Sequence, residues 1–141
     1  MSVVYKKLMK KDSDKIITYF EILNDYKVDK TVLENRISEM FSQNYECIGF
    51  FLDDKLIGMC GLWFMTRHYV GKSIEIDHFY IEDAHRNKGF GKDFFKWLYL
   101  YAEEKQVKTI ELNTYVTNHP SHKFYYNEGF NILGYHFLKK L

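Results

Sequence analysis

The sequence predicts an α/β protein with a mixed central sheet and flanking helices. Three observations predict it. The 141 residues include 12 Phe, 12 Tyr and 2 Trp but one proline, a balance that favours strands and excludes a disordered or proline-rich chain. Apolar residues recur with period two in some segments and with helical period in others. Some neighbouring strand segments are joined by a short turn and others by a helical segment, so hairpins and crossovers share one sheet. No repeat or linker interrupts the pattern, and residues 1–141 are expected to form one domain.

Each element has its own signal. Residues 2–8 alternate loosely, as a short strand. Ile16, Tyr19, Phe20 and Leu23 share one face of a helix over 13–26, with Asp12 and Ser13 as cap residues. Thr31 and Glu34 form a capping-box pattern, and Leu33, Ile37, Met40 and Phe41 mark a second helix over 31–43. Two apolar runs, 47–52 and 56–65, flank an acidic turn and read as a hairpin. After a turn at 68–72, residues 73–81 alternate. Ile74, Ile76, His78 and Tyr80 fall on one side, and Glu75, Asp77, Phe79 and Ile81 on the other. Phe94, Leu98, Tyr101 and Ala102 define a third helix ending near Lys105. Residues 108–116 form a further strand. A helix starts at Asn118-His119-Pro120, with proline where its missing N–H costs nothing, and stops at Gly129. Residues 130–138 are the expected last strand.

Composition narrows the function classes. Twenty Lys+Arg oppose 19 Asp+Glu, a net charge of +1, with none of the basic excess of a nucleic-acid binder. No apolar stretch is long enough to span a membrane, and the N-terminus lacks a signal peptide's apolar region. Cys47 and Cys60 stand alone, outside any CxxC, and are expected as reduced, buried thiols in a cytoplasmic protein. Six scattered histidines offer no ligand set; His119 and His122 lie three apart without a third ligand, so no metal is expected.

The loop Arg86-Asn87-Lys88-Gly89-Phe90-Gly91 carries the most chemistry. It follows a strand and opens a helix whose first amides lack intrahelical partners and sit at the positive end of the dipole. Glycines admit a phosphate close to the backbone, and Arg86 and Lys88 add positive charge, which together make a pyrophosphate cradle. A dinucleotide fingerprint fails because Phe94 stands where its third glycine belongs. A P-loop fails because Asp93 follows Gly91-Lys92. The bland alternative is a tight loop before a helix.

Arg86-x-x-Gly89-x-Gly91 resembles the (Gln/Arg)-x-x-Gly-x-(Gly/Ala) coenzyme A loop of the GNAT superfamily of N-acetyltransferases. Asn87 stands where a glycine is common, and asparagine tolerates left-handed backbone. Asn118-x-x-Ser121-x-x-Phe124-Tyr125-x-x-x-Gly129-Phe130 is similar to a second family motif, with Ser121 in place of the usual alanine. The two motifs occur in the family's order, and the likeness covers nearly the whole chain. It implies the GNAT (acyl-CoA N-acyltransferase) fold and acetyl-CoA as cosubstrate, with no metal. By resemblance, Phe79, Tyr80 and Ile81 lie along the pantetheine arm, the backbone of Phe79 and Ile81 pairing with it as an added strand. Arg86, Asn87, Lys88, Gly89, Phe90, Gly91 and Lys92 hold the pyrophosphate. Asn118 bonds the arm, and Phe124 packs against the coenzyme.

The implied reaction is attack of an amine on a thioester. An alkylammonium, with a pKa of about 10.4, must first lose a proton. Glu75 and Asp77, about 7 Å apart along the strand, are the candidate bases. Histone-type family members use the Glu75 position and spermidine/spermine-type members the Asp77 position; the sequence leaves both open. Tyr125 matches the family's catalytic tyrosine and is the candidate acid for the leaving thiolate, while Tyr126 is read as a packing residue. A backbone amide of the strand could stabilise the oxyanion. The segment 63–81 is similar to diamine and polyamine acetyltransferases, and Trp63 or Tyr69 could add cation–π contact to the carboxylates. A diamine or polyamine, an amino acid-like amine, an aminoglycoside and a peptide N-terminus stay open as acceptors. The expected partners are acetyl-CoA and a small amine, with neither nucleic acid nor membrane, and a homodimer by family habit. A GNAT-like module that binds acyl-CoA without turnover is the alternative.

Overall fold

The computed structural model describes residues 2–141. Strand β1 (Val3–Leu8) leads into helices α1 (Ser13–Leu23) and α2 (Lys30–Phe41). Strands β2 (Tyr45–Leu52), β3 (Lys55–Arg67) and β4 (Gly71–Ile81) follow in succession. Helix α3 (Phe90–Glu104) crosses back to β5 (Thr109–Leu112), and α4 (His119–Asn127) comes last. The sheet order is β1-β2-β3-β4-β5. The first three pairings are antiparallel and β4–β5 is parallel, the mixed sheet that the pattern predicts. Asp53 and Asp54 turn the β2–β3 hairpin with φ of 49° and 63°, the pair of left-handed residues that a two-residue turn of this hand needs.

Two apolar layers cover the sheet. On one face α1 and α2 bury Ile16, Ile17, Phe20, Leu33 and Ile37 with Cys47, Met59 and Tyr80. On the other, α3 buries Phe94, Phe95, Leu98 and Ala102 with Phe50, Ile57, Cys60, Ile74, Ile76 and Ile81. The two free thiols are buried, one in each layer. Many of the aromatics are used here: Phe94 touches Tyr5, Phe50, Phe79, Phe95 and Trp97. Such ring pairs add roughly 0.5–1.5 kcal/mol each beyond area burial. Among the described residues, no helix is long and apolar enough to cross a membrane.

Strand β4 departs from its predicted alternation. Phe79 and Ile81 join Ile74 and Ile76 on the α3 side, while Tyr80 packs on the α1–α2 side. The register gives the reason. Cys60 pairs with Phe79 and Leu62 with Ile76, so two steps on β3 match three on β4. A bulge at Asp77-His78 takes up the additional residue and reverses the faces beyond it. Glu75 and Asp77 therefore do not share a face with Phe79 and Ile81. His78 lies on the α1–α2 side, its ring over Gly61, where an added Cβ would collide with the imidazole.

Other expectations also shift. α1 ends at Leu23 because Asp25 and Tyr26 adopt φ of 53° and 56°. Asp12 accepts a hydrogen bond from the Met9 amide at 2.8 Å instead of capping α1. The Thr31–Glu34 capping box does not form, because Asp29 is the N-cap and Thr31 lies inside α2. The strand expected over 108–116 contracts to the four residues of β5. The expected strand 130–138 joins no sheet: residues 131–141 carry no regular structure and are exposed.

Candidate active site

The site forms where β4 and β5 part. Their parallel ladder runs from Ser73–Thr109 to Ile76–Leu112 and stops at the bulge. Beyond it, Asp77–Ile81 has β3 on one side and no strand on the other. That open edge is where an extended ligand arm can add backbone pairing, by the same geometry that joins strands.

A cavity of about 310 Å³ at this split is lined by Trp63, Glu75, Ile76, Asp77, Asn113 and His136. Glu75 and Asp77 thus meet, as expected. Asn113 Nδ2 donates to Glu75 Oε1 at 3.0 Å, and Trp63 Nε1 donates to Asp77 Oδ2 at 3.0 Å. Both partners are neutral, so each carboxylate is oriented without losing its charge to an ion pair. The neighbouring Glu111 differs: it is neutralised by Arg67 at 3.1 Å and bonded by Ser73 Oγ at 3.0 Å. Tyr45 stacks near Trp63 at 4.9 Å between centroids and hydrogen-bonds His78, supporting the indole from behind. Asn113 and His136 carry no motif that sequence reasoning could use. Only the parallel register, which sets Glu75 beside Glu111, brings Asn113 to Glu75. Tyr69, the other aromatic considered for cation–π contact, is 61% exposed and outside the cavity lining.

A second cavity, about 240 Å³, opens on the α3 side and is lined by Phe79, Gly91, Phe95, Pro120, Ser121, Phe124 and Tyr125. It brings together residues of both sequence motifs. Gly91 sits at its wall, where a Cβ would come 3.8 Å from Phe79 and 3.9 Å from Phe124. The loop before α3 turns through Asn87 and Gly89, with φ of 59° and 82°. Asparagine takes the left-handed place expected of it. No side chain caps α3, so its first amides are free to meet an anion, with Lys88 and Lys92 exposed beside them. Phe90 faces His85, and Asn118 forms the N-cap of α4 without a side-chain cap bond. Arg86 is held at the base of this loop. Its Nε donates to Ile81 O at 2.9 Å, it pairs with Asp83 at 3.0 Å, and it lies over the Tyr80 ring. It braces the end of β4 against the loop.

The Phe-Tyr-x-x-x-Gly-Phe segment has a mechanical explanation. Gly129 takes φ of 90°, its N–H bonds Tyr126 O at 3.1 Å, and the Phe130 N–H bonds Tyr125 O at 3.0 Å. This double bond pattern is a Schellman motif, with the usual apolar contact between Phe130 and Tyr125, 5.8 Å between centroids. It locks the helix turn that carries Tyr125. Burial raises the Tyr125 hydroxyl above its ordinary value, with the nearby Cys60 adding to the effect. Burial also holds the Cys60 thiol well above its usual range. Tyr126 is 56% exposed, not a packing residue as read from the sequence. Among the described residues, no three His, Cys, Asp or Glu side chains gather as a metal site.

A mixed sheet split at a bulge, with a glycine-bearing loop at a helix start and a Schellman-locked tyrosine, defines an acyltransferase-like class of protein. The chain belongs to the acetyltransferase (GNAT) family, whose pattern it matches over residues 13–130. No curated protein matches the sequence. Solved structures share the fold at low identity. A possible acetyltransferase from Clostridium difficile 630 aligns with a TM-score of 0.84 and 13% identity, over 100% of this chain and 98% of that one. A ribosomal-protein-alanine N-acetyltransferase from Brucella melitensis biovar Abortus 2308 aligns at 0.82 and 19%, over 100% of both chains. A predicted acetyltransferase from Clostridium acetobutylicum, solved with acetyl-CoA, aligns at 0.74 and 16%, over 99% and 96%.

Proposed function

We propose that the protein moves an acetyl group from acetyl-CoA to the primary amine of a small cationic acceptor, of the diamine, polyamine or amino acid-like class. The observation that carries this reading is the cavity with two carboxylates, Glu75 and Asp77, held by an amide and an indole rather than by cations. Such a cavity attracts an alkylammonium and can take its proton. Acetyl-CoA supplies the acyl group in activated form as a thioester. Its pyrophosphate fits the free amides at the start of α3 with Lys88 and Lys92, and its arm fits the open edge at Phe79, Tyr80 and Ile81. Phe124 and Gly91 wall the cavity beside that edge, with Asn118 heading α4.

The residues divide the work. Glu75 or Asp77 accepts the ammonium proton, which frees the nitrogen lone pair for the carbonyl carbon. As the C–N bond forms and the C–S bond breaks, Tyr125 gives its proton to the departing sulfur, the nitrogen releases its second proton to solvent, and the Tyr125 phenolate is reprotonated from solvent. A hydroxyl raised by burial stays protonated at neutral pH, which suits an acid rather than a base. We read the protein as cytoplasmic.

The test is CoA release across an amine panel, with wild type compared to Tyr125→Phe, Glu75→Gln and Asp77→Asn. Tyr125→Phe should lower kcat by roughly 10²-fold, the usual size of a general-acid contribution, and leave the KM for acetyl-CoA nearly unchanged. Wild-type turnover in Tyr125→Phe removes it as the acid. Acetyl-CoA binding, seen as a raised Tm, with no CoA release for any amine replaces the enzyme reading with a binding module.

A further inference from the structure

We propose that Trp63 is a positioning residue: its indole N–H makes Asp77, rather than Glu75, the carboxylate that takes the ammonium proton. This role rests on the acyl-transfer reading of the site. Across the sheet Tyr45 pairs with Trp63, Trp63 with Glu75, and Glu75 with Glu111. The four residues form one row, so the carboxylate directly opposite Trp63 is Glu75. The indole bypasses it and donates to Asp77 Oδ2 at 3.0 Å.

The indole is held from behind. Tyr45 is buried and lies 4.9 Å from it between centroids, with Phe41 5.5 Å away on Tyr45. The Tyr45 hydroxyl also bonds Nε2 of His78, the second residue of the bulge. One buried side chain therefore ties the indole to the bulge, and Asp77 sits between them. The donor on Glu75 lacks such support: Asn113 lies past the end of β5, outside regular structure and exposed. The difference matters because misplacing a reacting group by about 1 Å can cost about 10²-fold. Asp77 also stands at the bulge, closer than Glu75 to the open edge at Phe79–Ile81 that suits the coenzyme arm. An indole N–H donates and cannot accept. It occupies Oδ2 and leaves Oδ1 to take the proton from the ammonium. The Asp77 acid then returns that proton to solvent, and Trp63 itself neither gives nor takes one.

The experiment combines indole NMR with a double-mutant cycle on the full chain. Trp63 and Trp97 are the two indoles, and Trp63→Phe assigns their N–H resonances. Asp77→Asn should move the Trp63 N–H upfield and speed its exchange with water, and Glu75→Gln should do neither. In CoA release, Trp63→Phe should lower kcat about 10-fold or more, with the KM for acetyl-CoA changed by less than about twofold. It should have no further effect in Asp77→Asn and its full effect in Glu75→Gln. Replacing the indole by benzothiophene, which keeps the ring and lacks the N–H, repeats the test without the change in size. A purely structural role would lower kcat by the same factor in wild type, Asp77→Asn and Glu75→Gln, and that result overturns the proposal. An unchanged kcat in Trp63→Phe overturns it too, as does a Trp63 resonance indifferent to Asp77→Asn. Wild-type turnover in both Asp77→Asn and Glu75→Gln, by contrast, removes the carboxylates as bases and overturns the reading on which the role rests.

Discussion

His78 makes stability depend on pH in a way that a single substitution isolates. The ring sits over Gly61 against Phe20, its Nε2 bonded to the Tyr45 hydroxyl and its Nδ1 without a partner. Burial lowers its pKa to about 4, against the opposing pull of the Asp77 charge. A folded value below the unfolded one means that folding favours the neutral ring. Its contribution is full above about pH 6.5, the unfolded value, and is lost as pH falls towards 4. That gap corresponds to about 3 kcal/mol in all, of which about 2 kcal/mol disappears between pH 7 and pH 5. Urea unfolding of wild type and His78→Gln at pH 7, 6 and 5 measures it. Wild type should lose about 2 kcal/mol relative to the variant over that range. A stability difference that stays constant from pH 7 to pH 5 refutes the argument, because the ring would then protonate alike in both states.

Three further outcomes are expected. Leu98, on the sheet-facing side of α3, is fully buried, so Leu98→Ala should lower the unfolding free energy by roughly 2–5 kcal/mol in urea titration. Gln106 closes α3 with φ of 58°, its N–H on Glu103 O and the Val107 N–H on Ala102 O. Gln106→Gly should therefore raise stability by about 1 kcal/mol, and an unchanged urea midpoint counts against the strain. Gly89→Ala meets no atom within 4 Å but must hold φ of 82°. It should cost about 1–2 kcal/mol through backbone strain and weaken acetyl-CoA in calorimetry; full affinity would dissociate the loop from the coenzyme.

The sequence made the layers and most of the site legible, because both rest on local signals. Helical spacing placed Ile16, Phe20, Phe94 and Leu98 correctly, and the two Asp residues of the β2–β3 turn marked the hairpin. Gly129-Phe130 announced the end of α4, and the structure shows why both residues are needed. Illegible were the features set by pairing between distant strands. The bulge at Asp77-His78 arises from a mismatch between β3 and β4, so no pattern within 73–81 reveals that the alternation reverses there. Asn113 reaches Glu75 through parallel register alone. The contacts of Arg86 with Ile81 O and Asp83 join residues close in sequence, yet no motif announces them. The segment 130–138 has the composition of a strand, but a strand also requires a neighbour, and composition does not provide one.

The two cavities share no lining residue, one opening among carboxylates and the other among the rings of α3 and α4. That separation has a kinetic meaning. On the proposed reaction neither substrate need leave before the other arrives, and the buried Cys60 thiol is no depot for an acyl group between half-reactions. Both substrates would then be bound at once, with the acetyl group passing directly between them. Initial-rate plots at varied amine and acetyl-CoA should accordingly intersect; parallel lines would mean that the acyl group rests on the protein between two half-reactions.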